Sequence, residues 1–133
     1  MTAAVVVAIA LGAALGAPLR FAVERRLLSS YPWGTWLVNV VGSAILGALL
    51  GSLADRGGAE SATVLVAFVG TGFCGSLTTF GGFAAQVLDL AVSPGEVARS
   101  ARAWRALGYG AVSVAGCVGV ASAAYVAAAA FAT

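Results

Sequence analysis

Charge is missing from four long stretches of this chain, and that pattern limits its fold more than any other feature. No Asp, Glu, Lys or Arg occurs before Arg20, between Arg26 and Asp55, between Glu60 and Asp89, or after Arg105. The ~30 Å hydrocarbon core of a bilayer takes about 20 apolar residues of helix, and each stretch supplies them. The reading is four membrane-spanning helices over residues 3–22, 33–53, 62–88 and 106–130, joined by connectors at 24–32, 54–61 and 89–105. Only 9% of the 133 residues are charged, against about 25% in an ordinary soluble domain. A water-exposed surface could not be covered with so few. Residues 1–133 therefore read as one all-α integral membrane domain of the cell membrane, crossing the lipid bilayer several times.

The first stretch has no Lys or Arg ahead of it, as a secretory leader would, and is expected to be a retained span. Pro18, Pro32 and Pro94 lie near span ends, where helices start and stop. Phe21, Tyr31, Trp33, Trp36 and Trp104 all fall on the side of the first and third connectors, as a headgroup belt would. Gly12-x-x-x-Gly16 and Gly47-x-x-x-Gly51 imply close helix contacts, within a subunit or between two. A net charge of +2 without a basic stripe gives no reason to expect a nucleic-acid partner, and the absence of His excludes imidazole chemistry. Cys74 and Cys117 sit in apolar runs and read as small buried residues. No nucleophile–base pair and no phosphate loop is evident, so the chain does not read as an enzyme.

The third span is unusual. Residues 66–83 carry five glycines and four hydroxyl side chains in the middle of a membrane segment. Each Gly costs about 1 kcal/mol of helix propensity relative to Ala. Non-helical backbone at membrane depth survives only where it is buried in protein or lines a polar cavity. A break over residues 75–79 is expected, with freed backbone groups that find partners; such groups hold ions in other membrane proteins.

The deep polar residues are neutral. Thr35, Asn39 and Ser43 recur every four residues on the second span, as do Tyr109, Ser113 and Cys117 on the fourth, while the third adds Ser76, Thr78, Thr79 and Gln86. These rows read either as interhelical hydrogen bonding or as donors along a permeation path; amide and hydroxyl donors suit a small, tightly hydrated anion. Phe80 and Phe83, spaced i,i+3 after the break, can turn electropositive ring edges to an anion. No acidic residue lies deep in a span by this reading, with Glu24 placed after the end of the first. That argues against a proton-coupled transporter of the small multidrug type. A non-transporting scaffold would leave the break and Asn39 unexplained.

At these residues the chain resembles the Fluc (CrcB-type) fluoride channel family. Residues 12–21 (GAALGAPLRF) are similar to its Gly-rich first helix ending in Arg and an aromatic. Residues 34–43 (GTWLVNVVGS) resemble its Gly-Thr-x-x-Val-Asn-x-x-Gly signature, and residues 72–80 (GFCGSLTTF) its Gly-Phe-Cys-Gly-x-x-Thr-Thr-Phe core. The resemblance implies an antiparallel dimer of four-helix subunits, with the third helix broken near its middle and two pores that pass fluoride passively out of the cell. It implies a central structural sodium ion held by the backbone carbonyls of Gly75 and Thr78. It also implies that Asn39, Thr79, Phe80 and Phe83, with Tyr109 and Ser113, line the anion path, with Arg20 near its mouth. The chain departs from the family after Phe80, where Gly81, Gly82 and Gln86 replace two hydroxyl residues and a Glu.

Orientation follows from the arginines. Arg20, Arg25, Arg26, Arg99, Arg102 and Arg105 lie on one side and only Arg56 on the other, so the positive-inside rule puts both termini outside. An antiparallel homodimer needs dual insertion, which this bias opposes. The partner is therefore either a second copy or an oppositely oriented paralogue.

Overall fold

The computed structural model describes residues 2–27, 31–54, 62–92 and 98–132. Four helical segments are long and apolar enough to cross a membrane: Ala3–Arg26, Trp33–Ser52, Thr63–Val92 and Arg99–Ala130. The first two are α1 and α2. The third is divided. One helical turn (Thr63–Leu65), a π-helical stretch (Val66–Cys74) and a further turn (Gly75–Leu77) together form α3, residues 63–77, and α4 follows as Phe80–Val92. The last is α5, Arg99–Ala130.

Helix ends outrun the charge pattern. The helix α1 continues through Glu24 to Arg26, α4 passes Asp89, and α5 starts at Arg99. Charges mark the edge of the hydrocarbon, whereas a helix satisfies its own backbone on both sides of that edge. Arg25 and Arg26 occupy the last turn of α1, where the helix dipole favours cations. Pro18 lies inside α1 rather than at its end, so the helix forgoes one backbone hydrogen bond there. Pro32 immediately precedes α2. Asp55, Arg56, Glu60, Pro94 and Glu96 lie outside the described residues.

The glycine pairs set the packing, and both act within the subunit. The helix α2 lies along α5, and α1 along α3. A Cβ at Gly47 would collide with the carbonyl of Ala121, and one at Gly51 with that of Tyr125. Gly12 and Gly16 do the same work against Phe68, Phe73 and Ser76 of α3. Water exclusion does not hold helices together in lipid, so this backbone approach is the main source of contact energy. Outward faces stay apolar, as at Leu11 and Leu15 of α1, which are 56% and 58% exposed.

The break is narrower than expected. Gly75 remains helical, its N–H reaching the carbonyls of Gly70 and Gly72 to close the π-helical stretch. The chain leaves the helix at Thr78 (φ −80°, ψ 157°) and Thr79. Gly72 serves instead for proximity, since a Cβ there would stand 2.6 Å from the Ile9 carbonyl of α1.

Candidate functional site

Two threonines lie at the break, and both use their side chains on neighbouring backbone. The Thr78 N–H and hydroxyl both donate back to the Cys74 carbonyl, each at 2.9 Å, and close the last turn of α3. The Thr79 hydroxyl accepts the Gly82 N–H at 3.0 Å and so caps the start of α4. The Thr79 backbone is held from α2: its N–H donates to Asn39 Oδ1 at 2.8 Å, and Asn39 Nδ2 donates to its carbonyl at 3.1 Å. Gly42, one turn along α2 from Asn39, has no Cβ and leaves room for the Thr78 methyl group.

These commitments free two carbonyls. In a continuous helix the Thr79 N–H would bind Gly75 O and the Gly82 N–H would bind Thr78 O, yet both donors point elsewhere. Thr78 O accepts one hydrogen bond from Arg20 Nη1 at 3.3 Å. A carbonyl has two lone pairs, so one remains for a second partner.

A cavity of about 370 Å³ opens beside the break, walled by α2, α3, α4 and α5. It brings together Asn39, Gly75, Thr78, Thr79, Phe80, Phe83 and Ser113, from three of the four spans. Ser43 and Cys117 also line it. The Phe80 and Phe83 rings lie 5.9 Å apart and tilted by 47°, with Phe80 81% exposed. Ser113 is buried, at 3% exposure; its hydroxyl makes no short hydrogen bond among the described residues and has the Tyr109 hydroxyl as a polar neighbour. The N-terminus of α4 begins at this wall, where the helix dipole favours negative charge. A neutral donor set, a positive helix end and aromatic edges can together hold a small dehydrated anion.

Two of the expected site residues stand away from the wall. Arg20 reaches the break rather than the cavity. Tyr109 is 1% exposed and lies behind Phe83, with ring centroids 5.7 Å apart. Ser76 donates to the Gly72 carbonyl at 2.6 Å and packs toward α1.

Tyr109 belongs to a second polar feature. Its hydroxyl donates to Gln86 Oε1 at 3.0 Å, Gln86 Nε2 donates to Thr35 Oγ1 at 2.6 Å, and Thr35 donates to Glu24 Oε1 at 3.0 Å. The chain of bonds joins α5, α4, α2 and α1. Sequence reasoning missed Glu24 because it set the residue in a connector. The one available signal was spacing, since Glu24 follows Arg20 by four residues and shares its helix face.

A comparison with protein families matches residues 7–125 to the CrcB-like protein family, described as Camphor Resistance (CrcB). Among curated relatives, the fluoride-specific ion channel FluC of Pseudomonas aeruginosa is 47% identical over 88 residues, covering 64% of this chain and 68% of that protein. The fluoride-specific ion channel FluC 1 of Nocardia farcinica is 44% identical over 84 residues, 60% of this chain and 54% of that protein. The corresponding FluC 1 of Frankia casuarinae is 46% identical over 88 residues, 60% and 67% respectively. The chain thus aligns with little more than half the length of one curated relative and about two thirds of the others. The family match takes in all four spans, the break and every residue of the cavity wall, and the chain belongs to the CrcB-like family.

Proposed function

We propose that this chain is a subunit of a passive, fluoride-selective channel of the cell membrane that lets cytoplasmic fluoride run down its gradient. The observation that carries the reading is the cavity wall, where Asn39, Ser113, the N-terminus of α4 and the Phe80–Phe83 pair come together. Relatives named as fluoride-specific channels support it. Hydrogen fluoride enters a cell uncharged and releases an ion that is trapped at neutral pH, so a downhill pore suffices to remove it.

The working unit of this proposal is an antiparallel dimer, formed with a second copy or with a paralogue of opposite orientation. A sodium ion sits at its centre. The Gly75 and Thr78 carbonyls fit that role as hard oxygen donors relieved of their helical partners. The Arg20 guanidinium on Thr78 occupies one lone pair and leaves the other for the cation. Bound there, sodium supplies no chemistry beyond holding two breaks together.

Fluoride efflux from liposomes containing the purified protein tests the reading, with chloride as the control anion. Rapid fluoride release with no chloride release is expected; equal release of both overturns the reading, and release of neither, with this chain alone or together with its paralogue, overturns it too. Efflux from this chain alone also decides between a second copy and a paralogue as partner.

A further inference from the structure

Three hydrogen bonds in a row can run in either direction, and here the direction is fixed. A carboxylate offers acceptors only, so Thr35 must donate to Glu24. Its single proton is then committed, and toward Gln86 it can only accept. Gln86 must therefore turn Nε2 to Thr35, which leaves Oε1 facing Tyr109 and makes the tyrosine hydroxyl the donor. The carboxylate reaches Thr35 because Gly34 lies against the Glu24 backbone; a Cβ there would stand 2.8 Å from the Glu24 Cα. At the other end, the Tyr109 ring backs Phe83, whose ring forms part of the cavity wall.

We infer that Glu24 is a positioning residue for anion passage: through Thr35 and Gln86 it locks the Tyr109 hydroxyl, and Tyr109 in turn holds the Phe83 ring against the cavity. The inference rests on the conduction reading for its functional half and on the hydrogen-bond geometry for the rest. Glu24 is not part of the cavity wall. Its effect is carried by order in the chain of donors, and the end of that chain is the one place where a carboxylate is required. Moving the acceptor should therefore be tolerated where removing it is not. A carboxylate at position 86 would accept from Thr35 and Tyr109 together, and the chain would converge there without Glu24.

The test compares Glu24→Met with the double variant Glu24→Met/Gln86→Glu, each carrying meta-fluorotyrosine at position 109 and each checked for folding in detergent. Fluorine NMR reads the hydroxyl environment directly, and liposome efflux reads passage. Glu24→Met should shift the Tyr109 resonance and lower fluoride flux by about tenfold, the scale of one charge-assisted hydrogen bond. The double variant should recover both. Thr35→Ser and Thr35→Val provide a second comparison that does not touch the carboxylate. A packing role favours the isosteric Val, whereas the chain requires Ser to outperform it. A wild-type resonance and flux in Glu24→Met, or no recovery in the double variant, or Val matching Ser, would overturn the inference. A shifted resonance with unchanged flux overturns it too, because Glu24 would then order Tyr109 without affecting passage. If the wild type carries no fluoride, the conduction reading falls separately, and the resonance alone decides whether Glu24 sets Tyr109.

Discussion

The Asn39 carboxamide grips both backbone groups of Thr79, accepting its N–H at 2.8 Å and donating to its carbonyl at 3.1 Å. Asn is the residue for this because one planar group carries both a donor and an acceptor. The pairing also fixes which way the amide faces. One of its two N–H bonds is left over, and Asn39 is itself part of the cavity wall.

Asn39→Leu keeps the branched shape, with somewhat more bulk, and removes both bonds. It should destabilise the protein by about 1–2 kcal/mol, since two part-buried backbone groups lose their partners. Asn39→Asp keeps the acceptor, loses the donor and brings negative charge to the cavity, so it should abolish anion flux even where the protein still folds. Thermal denaturation in detergent and liposome efflux separate the two effects.

Ser113→Ala should raise stability slightly or leave it unchanged, because the hydroxyl is buried at 3% exposure with no short hydrogen bond among the described residues. Fluoride flux should fall by about tenfold if that hydroxyl donates to the passing ion, the scale of a hydrogen bond to a charged group. A destabilised protein would show that the hydroxyl has an internal partner instead.

Phe80→Ala should cost little stability, given that the side chain is 81% exposed in the single chain. Phe83→Ile keeps bulk but loses the ring against Tyr109. Both should reduce fluoride flux while leaving the melting temperature within a few degrees of wild type. Wild-type flux in both variants would reduce the rings to packing.

Glycine scanning should divide the chain sharply. Gly47→Ala and Gly51→Ala drive a methyl group into α5 backbone carbonyls and should each cost about 1–3 kcal/mol or more. Gly108→Ala and Gly119→Ala meet nothing within 4 Å and should be neutral or stabilising by up to about 1 kcal/mol through helix propensity. Melting curves for the four variants check the contrast.

The spans were legible because charge is expensive in hydrocarbon, and the break was legible because glycine and threonine are expensive inside a helix. Its exact place was not. The expected break ran from Gly75 to Thr79, but Gly75 closes a π-helical stretch and Gly72 serves a close approach to α1, so only Thr78 and Thr79 leave the helix. Backbone proximity between helices leaves no periodic mark that distinguishes it from conformational freedom. Asn39 and the two phenylalanines stood out by type and position. Arg20 was marked by the resemblance alone, and Glu24 was not marked at all, because hydropathy assigns a charged residue to water; three-dimensional contact shows the first reaching Thr78 and the second Thr35.

The divided third span also bears on how the chain enters a membrane. The helix α4 has 13 residues, about 20 Å at 1.5 Å per residue, too short for a ~30 Å core, and α3 is barely longer. Neither half is a stable lodger in lipid by itself. The side chain that holds their junction, Asn39, belongs to a helix made earlier in synthesis, as does Arg20. The order of segments along the chain therefore matches an order of assembly, in which the first two spans are already in place when the interrupted one arrives to lean on them.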